Sequence, residues 1–247
     1  MQKEMNFSLP KISVITAVYN GIDSLEPTIN SVLNQTYNNI QFIIIDGGST
    51  DGTVDIIKKY EDRIAFWVSE KDKGVYDAMN KGVERATGEW IYFLGSGDIL
   101  LNVMDRISKL LIDSNKVYYG DVFRLDTQEK YDGEFSAYKL AITNICHQAI
   151  FYPVSVFIKH RYNLKYKIMA DHILNMQCFG DKYQFTYFPF TIAIYEGDGY
   201  SANNIDQEYM KDKLHIVKEN FPNSIYNYAV LRRKLSKLKK TLDYGLG

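Results

Sequence analysis

Along the first hundred residues the spacing of apolar positions switches back and forth between two and three-to-four. Residues 11–19 alternate and are β-branched at Ile12, Val14, Thr16 and Val18, which predicts a strand. Leu25, Ile29, Val32 and Leu33 then recur at helical spacing, with Pro27 admissible only in the first turn of that helix. Residues 41–45, apolar from Phe42 to Ile45, predict a strand; after the turn 46–52 a helix follows with Val54, Ile57 and Tyr60 inward. Residues 66–68 read as a short strand, 75–86 as a helix facing inward through Ala78, Met79 and Val83, and 90–94 as another strand. Such βαβαβαβ alternation predicts an α/β fold: a Rossmann-like, mostly parallel central sheet flanked by helices, with right-handed crossovers.

The second half is less regular. A helix is expected at 102–112 (Val103, Ile107, Leu110, Leu111), a strand at 117–122, short strands near 148–152, a helix at about 170–179, and strands at 183–188 and 190–195. This pattern suits a mixed sheet that builds an acceptor half (101–203) onto a nucleotide-binding half (11–100), within one domain spanning 1–203. Residues 204–247 are predicted to form a C-terminal helical extension. There Tyr228, Leu231, Leu235, Leu238 and Leu242 make an apolar stripe, and Arg232, Arg233, Lys234, Lys237, Lys239 and Lys240 cover the other faces. Two readings stay open: peripheral membrane contact through 228–242, or packing of the leucines on the domain or a partner subunit.

Charge narrows the classes. With 29 Lys+Arg against 30 Asp+Glu in 247 residues, no global field favours nucleic acid. Cys146 and Cys178 lack zinc-site spacing and are too few for a disulfide framework, which suits a reducing cytosol. The opening MQKEMNFSLP has no apolar signal core, and no run approaches the ~18 residues of a membrane span. A cytoplasmic protein is expected, at most peripheral at the inner face of the cell membrane. The 20 tyrosines suit a sugar-binding cleft and an ordinary core equally.

Two of the predicted strands end on an aspartate in a Gly/Ser-rich turn: Asp46 in IIIDGGSTDGT (43–53) and Asp98 in WIYFLGSGD (90–98). Open α/β sheets bind ligands at the carboxyl ends of their strands, and glycines let a ligand approach the backbone. The pair points to a nucleotide and a metal-bound diphosphate. The turn TAVYNG (16–21) is neither a Walker A loop nor a dinucleotide GxGxxG. Thr16, Ala17 and Tyr19 instead stand where backbone can edge-bind a base and an aromatic can cover it. Asp46 is open to two roles, acceptor for the N3–H of uracil or turn residue of its own Gly47-Gly48-Ser49.

The succession SVITAVYNG, IIIDGGSTDGT, SEKDKGVYDAMNKGVERATGEW and FLGSGD resembles family 2 of the glycosyltransferases, with the GT-A fold. The likeness is to enzymes of bacterial surface-polysaccharide synthesis and continues through ICHQ (145–148), MADHIL (169–174) and GDGYS (197–201). It implies that Thr16, Tyr19 and Asp46 hold the nucleoside, with Asp46 on the base, and that Asp72 lines the donor side. Asp98 then matches the last acid of the family's metal motif, binding Mn²⁺ or Mg²⁺, and Asp171 matches the catalytic base. The motif departs from its usual form in one place: Ser96-Gly97-Asp98 has Gly97 where an acid that contacts ribose commonly stands. His147 and Gln148 are candidates for contact with the acceptor or a phosphate.

The implied reaction is inverting, metal-dependent transfer of a sugar from a nucleotide-diphosphate sugar, UDP favoured, to a hydroxyl of a glycan or lipid-linked glycan. A hard divalent cation needs only one or two protein carboxylates when phosphate and water complete its shell, so Asp98 suffices. Two other readings compete. A nucleotidyltransferase would show a Gly-rich basic loop after the first strand, and TAVYNGIDS contains no Lys or Arg. A non-catalytic nucleotide-sugar binding module follows if Asp171 stands away from the donor.

Overall fold

The computed structural model describes residues 9–131, 133–197 and 204–244, with side chains as far as residue 236. Its strands are β1 (Ile12–Val18), β2 (Ile40–Asp46), β3 (Phe66–Ser69), β4 (Trp90–Phe93), β5 (Ile99–Leu100), β6 (Lys116–Arg124), β7 (Glu129–Tyr131), β8 (Ile150–Pro153) and β9 (Gln184–Tyr195). The helices are α1 (Leu25–Leu33), α2 (Thr53–Lys59), α3 (Val75–Arg85), α4 (Met104–Ser108), α5 (Ala137–Leu140), α6 (Val154–Lys159), α7 (Ala170–Gly180), α8 (Gln207–Asn220) and α9 (Asn223–Tyr244).

One sheet runs in the order β3-β2-β1-β4-β8-β6-β9-β5, with β7 paired to β6. Pairings among β1 to β4 are all parallel, as the strand–helix alternation requires. Strand order reverses between β1 and β4, and at such a switch point a crevice opens beyond the carboxyl ends of the strands. From β8 onward the sheet is mixed: β8 is antiparallel to β4 and β6, β9 parallel to β6, β5 antiparallel to β9.

Alternation along the strands feeds two cores. Ile15, Ile43, Ile45, Ile91 and Phe93 face the layer that holds α3 and α7. Ile12, Val14, Val18, Phe42, Ile44, Trp90 and Tyr92 face α1, α2 and α4. Burial on both faces explains the near-continuous apolar runs. Tyr209, Ile216 and Val217 of α8, and Ile225 and Ala229 of α9, join the α3/α7 core.

Several expected elements differ. The helix over 102–112 shortens to α4, and the tight bond from Leu110 N–H to Ile107 C=O marks its end. The strands 183–188 and 190–195 are one strand, β9. Pro189 lies where the β6–β9 register shifts, so its missing N–H falls in an irregular stretch. β5, β7, α5 and α6 are too short to leave a readable period in the sequence.

The leucine stripe is not buried as a whole. Packing uses Ile225 and Ala229, while Leu231 and Leu235 are 55% and 51% exposed. Tyr228 meets the Tyr138 ring edge-on at 5.2 Å. Leu238, Leu242, Lys237, Lys239 and Lys240 lie outside the described side chains, and residues 198–201 of the GDGYS string lie outside the described residues.

Candidate active site

Topology gathers the site at the carboxyl rim of the sheet. Because β8 runs antiparallel to β4, with Tyr92 opposite Phe151, the residues just before β8 lie at the carboxyl end of β4. Those residues are Cys146, His147 and Gln148, and the end of β4 leads into Asp98.

Asp98 is buried. Its Oδ2 accepts from Gln148 Nε2 at 2.6 Å, and its Oδ1 from Glu196 N–H at 3.2 Å. Burial pushes its carboxyl up to about 6, against the Gln148 hydrogen bond and the charge of His147. The turn holding Asp98 is pinned by Thr28 of α1, whose hydroxyl donates to Asp98 C=O at 2.9 Å and accepts from Gly97 N–H at 3.0 Å. Gly97 adopts φ +100°, a conformation that a side-chain-bearing residue reaches only with strain. Ser96 is tied to Ser24 hydroxyl to hydroxyl at 3.0 Å.

Asp171 lies in the first turn of α7 and is also buried. Its Oδ1 accepts from the Tyr76 hydroxyl at 2.9 Å and from His172 N–H at 2.8 Å; Oδ2 accepts from Asn144 Nδ2 at 2.7 Å. His147 Nδ1 stands 3.6 Å from the same Oδ2. Burial works against ionisation, yet hydrogen bonding and charge from His147, with the Tyr76 bond, hold the carboxyl below its ordinary range. Burial and the Asp171 charge in turn keep Tyr76 a neutral phenol.

His147 and Gln148 thus join the two acids. Gln148 is turned inward, donating to Asp98 and accepting from the Cys146 thiol at 2.8 Å. His147 is partly exposed beside Asp171, and its charge acts on Asp98 and Asp171 alike. One short segment therefore carries a neighbour of each carboxylate, Gln148 on Asp98 and His147 beside Asp171.

The donor side has an open and a closed part. The Tyr19 ring is 65% exposed. A Cβ on Gly47 would meet Asp72 Oδ2 at 2.6 Å and the Tyr19 ring at 3.4 Å, so glycine there leaves room for these two neighbours. Ala17 is half-buried. The Thr16 hydroxyl is buried and has no hydrogen-bond partner among the described residues, a condition that a ligand or water relieves.

Asp46 is fully buried. Its carboxylate accepts from Gly48 N–H at 3.1 Å, Ser49 N–H at 2.9 Å, the Ser69 hydroxyl at 2.6 Å and the Ser49 hydroxyl. These are bonds of a turn residue, and Oδ1, which accepts from the Ser49 hydroxyl, keeps capacity for a further donor.

Sequence reasoning did not single out Thr28, Tyr76, Asn144 or Glu196. They act through tertiary contacts, and no local motif marks them. Asn80 holds the backbone of Tyr162 at both ends, donating to its C=O at 2.9 Å and accepting from its N–H at 3.0 Å, so it braces α3 against the acceptor half. A separate hollow of ≈ 400 Å³, lined partly by Phe135, Phe179 and Tyr183, lies by the far end of α7 from Asp171 and contains none of these residues.

The residues present fit a hard divalent cation held largely by ligand oxygens. Among the described residues no group of three or more His, Cys, Asp or Glu side chains is placed to cage a metal. Asp98 keeps acceptor capacity on both oxygens beyond its two hydrogen bonds.

Comparison with known proteins gives a consistent result. The model of the family described as Glycosyl transferase family 2 matches residues 13–111. A PGL/p-HBAD biosynthesis glycosyltransferase of Mycobacterium bovis (strain BCG / Pasteur 1173P2) is 35% identical over 213 residues, covering 82% of this chain and 83% of that protein. A Bacillus subtilis (strain 168) protein named for teichuronic acid biosynthesis, TuaG, is 45% identical over 92 residues, or 36% of each chain. Among solved structures, S. aureus TarS 1-349 in complex with UDP-GlcNAc superposes with a TM-score of 0.70 at 17% identity, over 85% of this chain and 66% of that one. The chain spans 39% of the longer TarS structure. The mannosyltransferase PcManGT from Pyrobaculum calidifontis, in complex with GDP-Man and Mn2+, gives a TM-score of 0.69 at 13% identity, over 90% and 69% of the two chains.

Proposed function

This chain belongs to glycosyltransferase family 2, with the GT-A fold, and from that footing we propose that it is an inverting enzyme of bacterial surface-polysaccharide synthesis. It takes a sugar from a nucleotide-diphosphate sugar, UDP-linked by preference, and passes it to a hydroxyl of a glycan or lipid-linked glycan. The observation that carries this reading is the segment Cys146–Gln148, in which Gln148 donates to Asp98 and His147 stands 3.6 Å from Asp171. A surface-polysaccharide pathway is supported by the relative named for teichuronic acid biosynthesis, and a UDP-sugar donor by the neighbour bound to UDP-GlcNAc.

In this reading the base lies on the Tyr19 ring beside Gly47 and Asp72, and Asp46 shapes that wall by holding its turn. Thr16 and Ala17 line the floor, and Ser96 and Gly97 stand by the ribose. Asp98 would hold Mn²⁺ or Mg²⁺, and the ion would supply positive charge against the departing diphosphate. Asp171 takes the proton of the acceptor hydroxyl while that oxygen bonds to the anomeric carbon and the bond from this carbon to the diphosphate oxygen breaks. Its depressed carboxyl keeps it in the accepting form at neutral pH. Tyr76, Asn144 and the His172 N–H fix its orientation, leaving Oδ2 with capacity for the acceptor. His147 stands beside the path of that proton.

No helix among the described residues is long and apolar enough to cross a membrane. The exposed Leu231 and Leu235, with Arg232, Arg233 and Lys234 beside them, suit a peripheral contact with an anionic cytoplasmic leaflet.

A thermal-shift panel of nucleotides with Mn²⁺ tests the donor class. UDP at ~100 Kd is expected to stabilise by ~2.7 kcal/mol, a Tm rise of about 5–10 °C for a chain of this size. A larger rise with UTP or CTP than with UDP would point to nucleotidyl transfer and overturn the proposal.

A further inference from the structure

We infer that Glu196 is a second carboxylate ligand of the divalent cation beside Asp98, an assignment that rests on the metal-assisted reading above. The register of the sheet brings the two acids together. β5 and β9 pair antiparallel with Ile99 opposite Ile194 and Leu100 opposite Ala193. Extending that register by two residues sets Gly97 opposite Glu196. The side chain is indeed there, because a Cβ on Gly97 would overlap Glu196 Oε2. The Glu196 N–H also donates to Asp98 Oδ1 at 3.2 Å, which locks the backbone of one acid to the side chain of the other.

A carboxylate from β9 therefore occupies the space that an acid at position 97 would need, entering from the opposite strand. Among the described residues neither Asp98 nor Glu196 has a lysine or arginine partner. Arg124, paired in register with Tyr195 next to Glu196, is engaged by Asp126 at 3.0 Å through Nε. Two neighbouring carboxylates repel each other unless a cation lies between them, and a hard divalent ion takes such oxygens together with phosphate and water. The two acids play different parts, since Asp98 is buried and fixed while Glu196 is exposed and able to meet an incoming ion.

The test titrates Mn²⁺ into the full chain in the presence of UDP, reading free Mn²⁺ by electron paramagnetic resonance. UDP affinity in EDTA is measured in parallel by calorimetry. Glu196→Gln keeps the backbone N–H on Asp98 and is expected to weaken Mn²⁺ binding about tenfold or more, with UDP affinity in EDTA unchanged. Glu196→Asp keeps the charge and is expected to bind Mn²⁺ more tightly than the glutamine variant. Wild-type Mn²⁺ affinity in Glu196→Gln would overturn the assignment and leave the metal-assisted reading intact. So would equal losses in the two variants, or a loss of UDP binding in EDTA that matches the loss of Mn²⁺. Failure of the wild-type chain to take up Mn²⁺ with UDP would instead overturn the metal-assisted reading itself.

Discussion

Asp171 shows how a buried acid stays ionised. Its burial is offset by Tyr76, Asn144 and the His172 N–H, with His147 close by. The Tyr76 hydroxyl is one of the groups that hold its carboxyl low, so its removal has a definite sign. Tyr76→Phe is expected to raise the Asp171 carboxyl toward the ordinary range. The base form is then lost at a higher pH as acid is added, and the acidic limb of the kcat–pH profile moves up. An unchanged limb would detach Tyr76 from the base. Position by position, the sequence made the acids legible because each ends an apolar run or opens a helix. Most of their partners were not legible, and Gln148 and His147 were legible only as candidates for the acceptor or a phosphate. Gln148, Thr28 and Glu196 reach Asp98 only because β8 and β9 return antiparallel to its rim and α1 covers its turn. Asp46 carried both of its candidate roles in one string, and the observed bonds from Ser49 and Ser69 are those of the turn role.

Among the elements, α3 joins the two halves. It follows β3, so its first turn lies at the carboxyl rim. From there Tyr76 reaches Asp171 and the C=O of Ile168, while Asn80 clamps Tyr162 one turn on. The strands and helices of the first half were readable because burial on both faces of a parallel sheet writes continuous apolar runs separated by helical periods. The second half was readable only in part: α5, α6, β5 and β7 are too short to express a period, and Pro189 gave a false break in β9. The α9 helix keeps its backbone form to Tyr244 while Leu231 and Leu235 stay exposed. Co-sedimentation with vesicles rich in anionic lipid is expected to retain the full chain at low salt and release it progressively as salt rises. Leu231→Ser/Leu235→Ser should weaken retention at every salt concentration. Absence of binding at low salt would assign the helix to packing alone.

Across the whole molecule, the switch point between β1 and β4 and the antiparallel return of β8 bring residues of both halves to one rim of the sheet. The parallel half brings Tyr19, Asp72 and Asp98 to the rim; the mixed half sets His147 beside Asp171 and Glu196 on Asp98. In the proposed reading, donor and acceptor chemistry are divided between halves that share the α3/α7 core. The central claim is that Asp171 serves the incoming alcohol and not the nucleotide. It is tested most directly by sugar transfer from a UDP-sugar to a glycan acceptor by Asp171→Asn, with donor affinity measured on the same preparation. The account predicts a fall in transfer of ~10²–10⁴-fold, with donor affinity within about twofold of wild type. Transfer at the wild-type rate would contradict it.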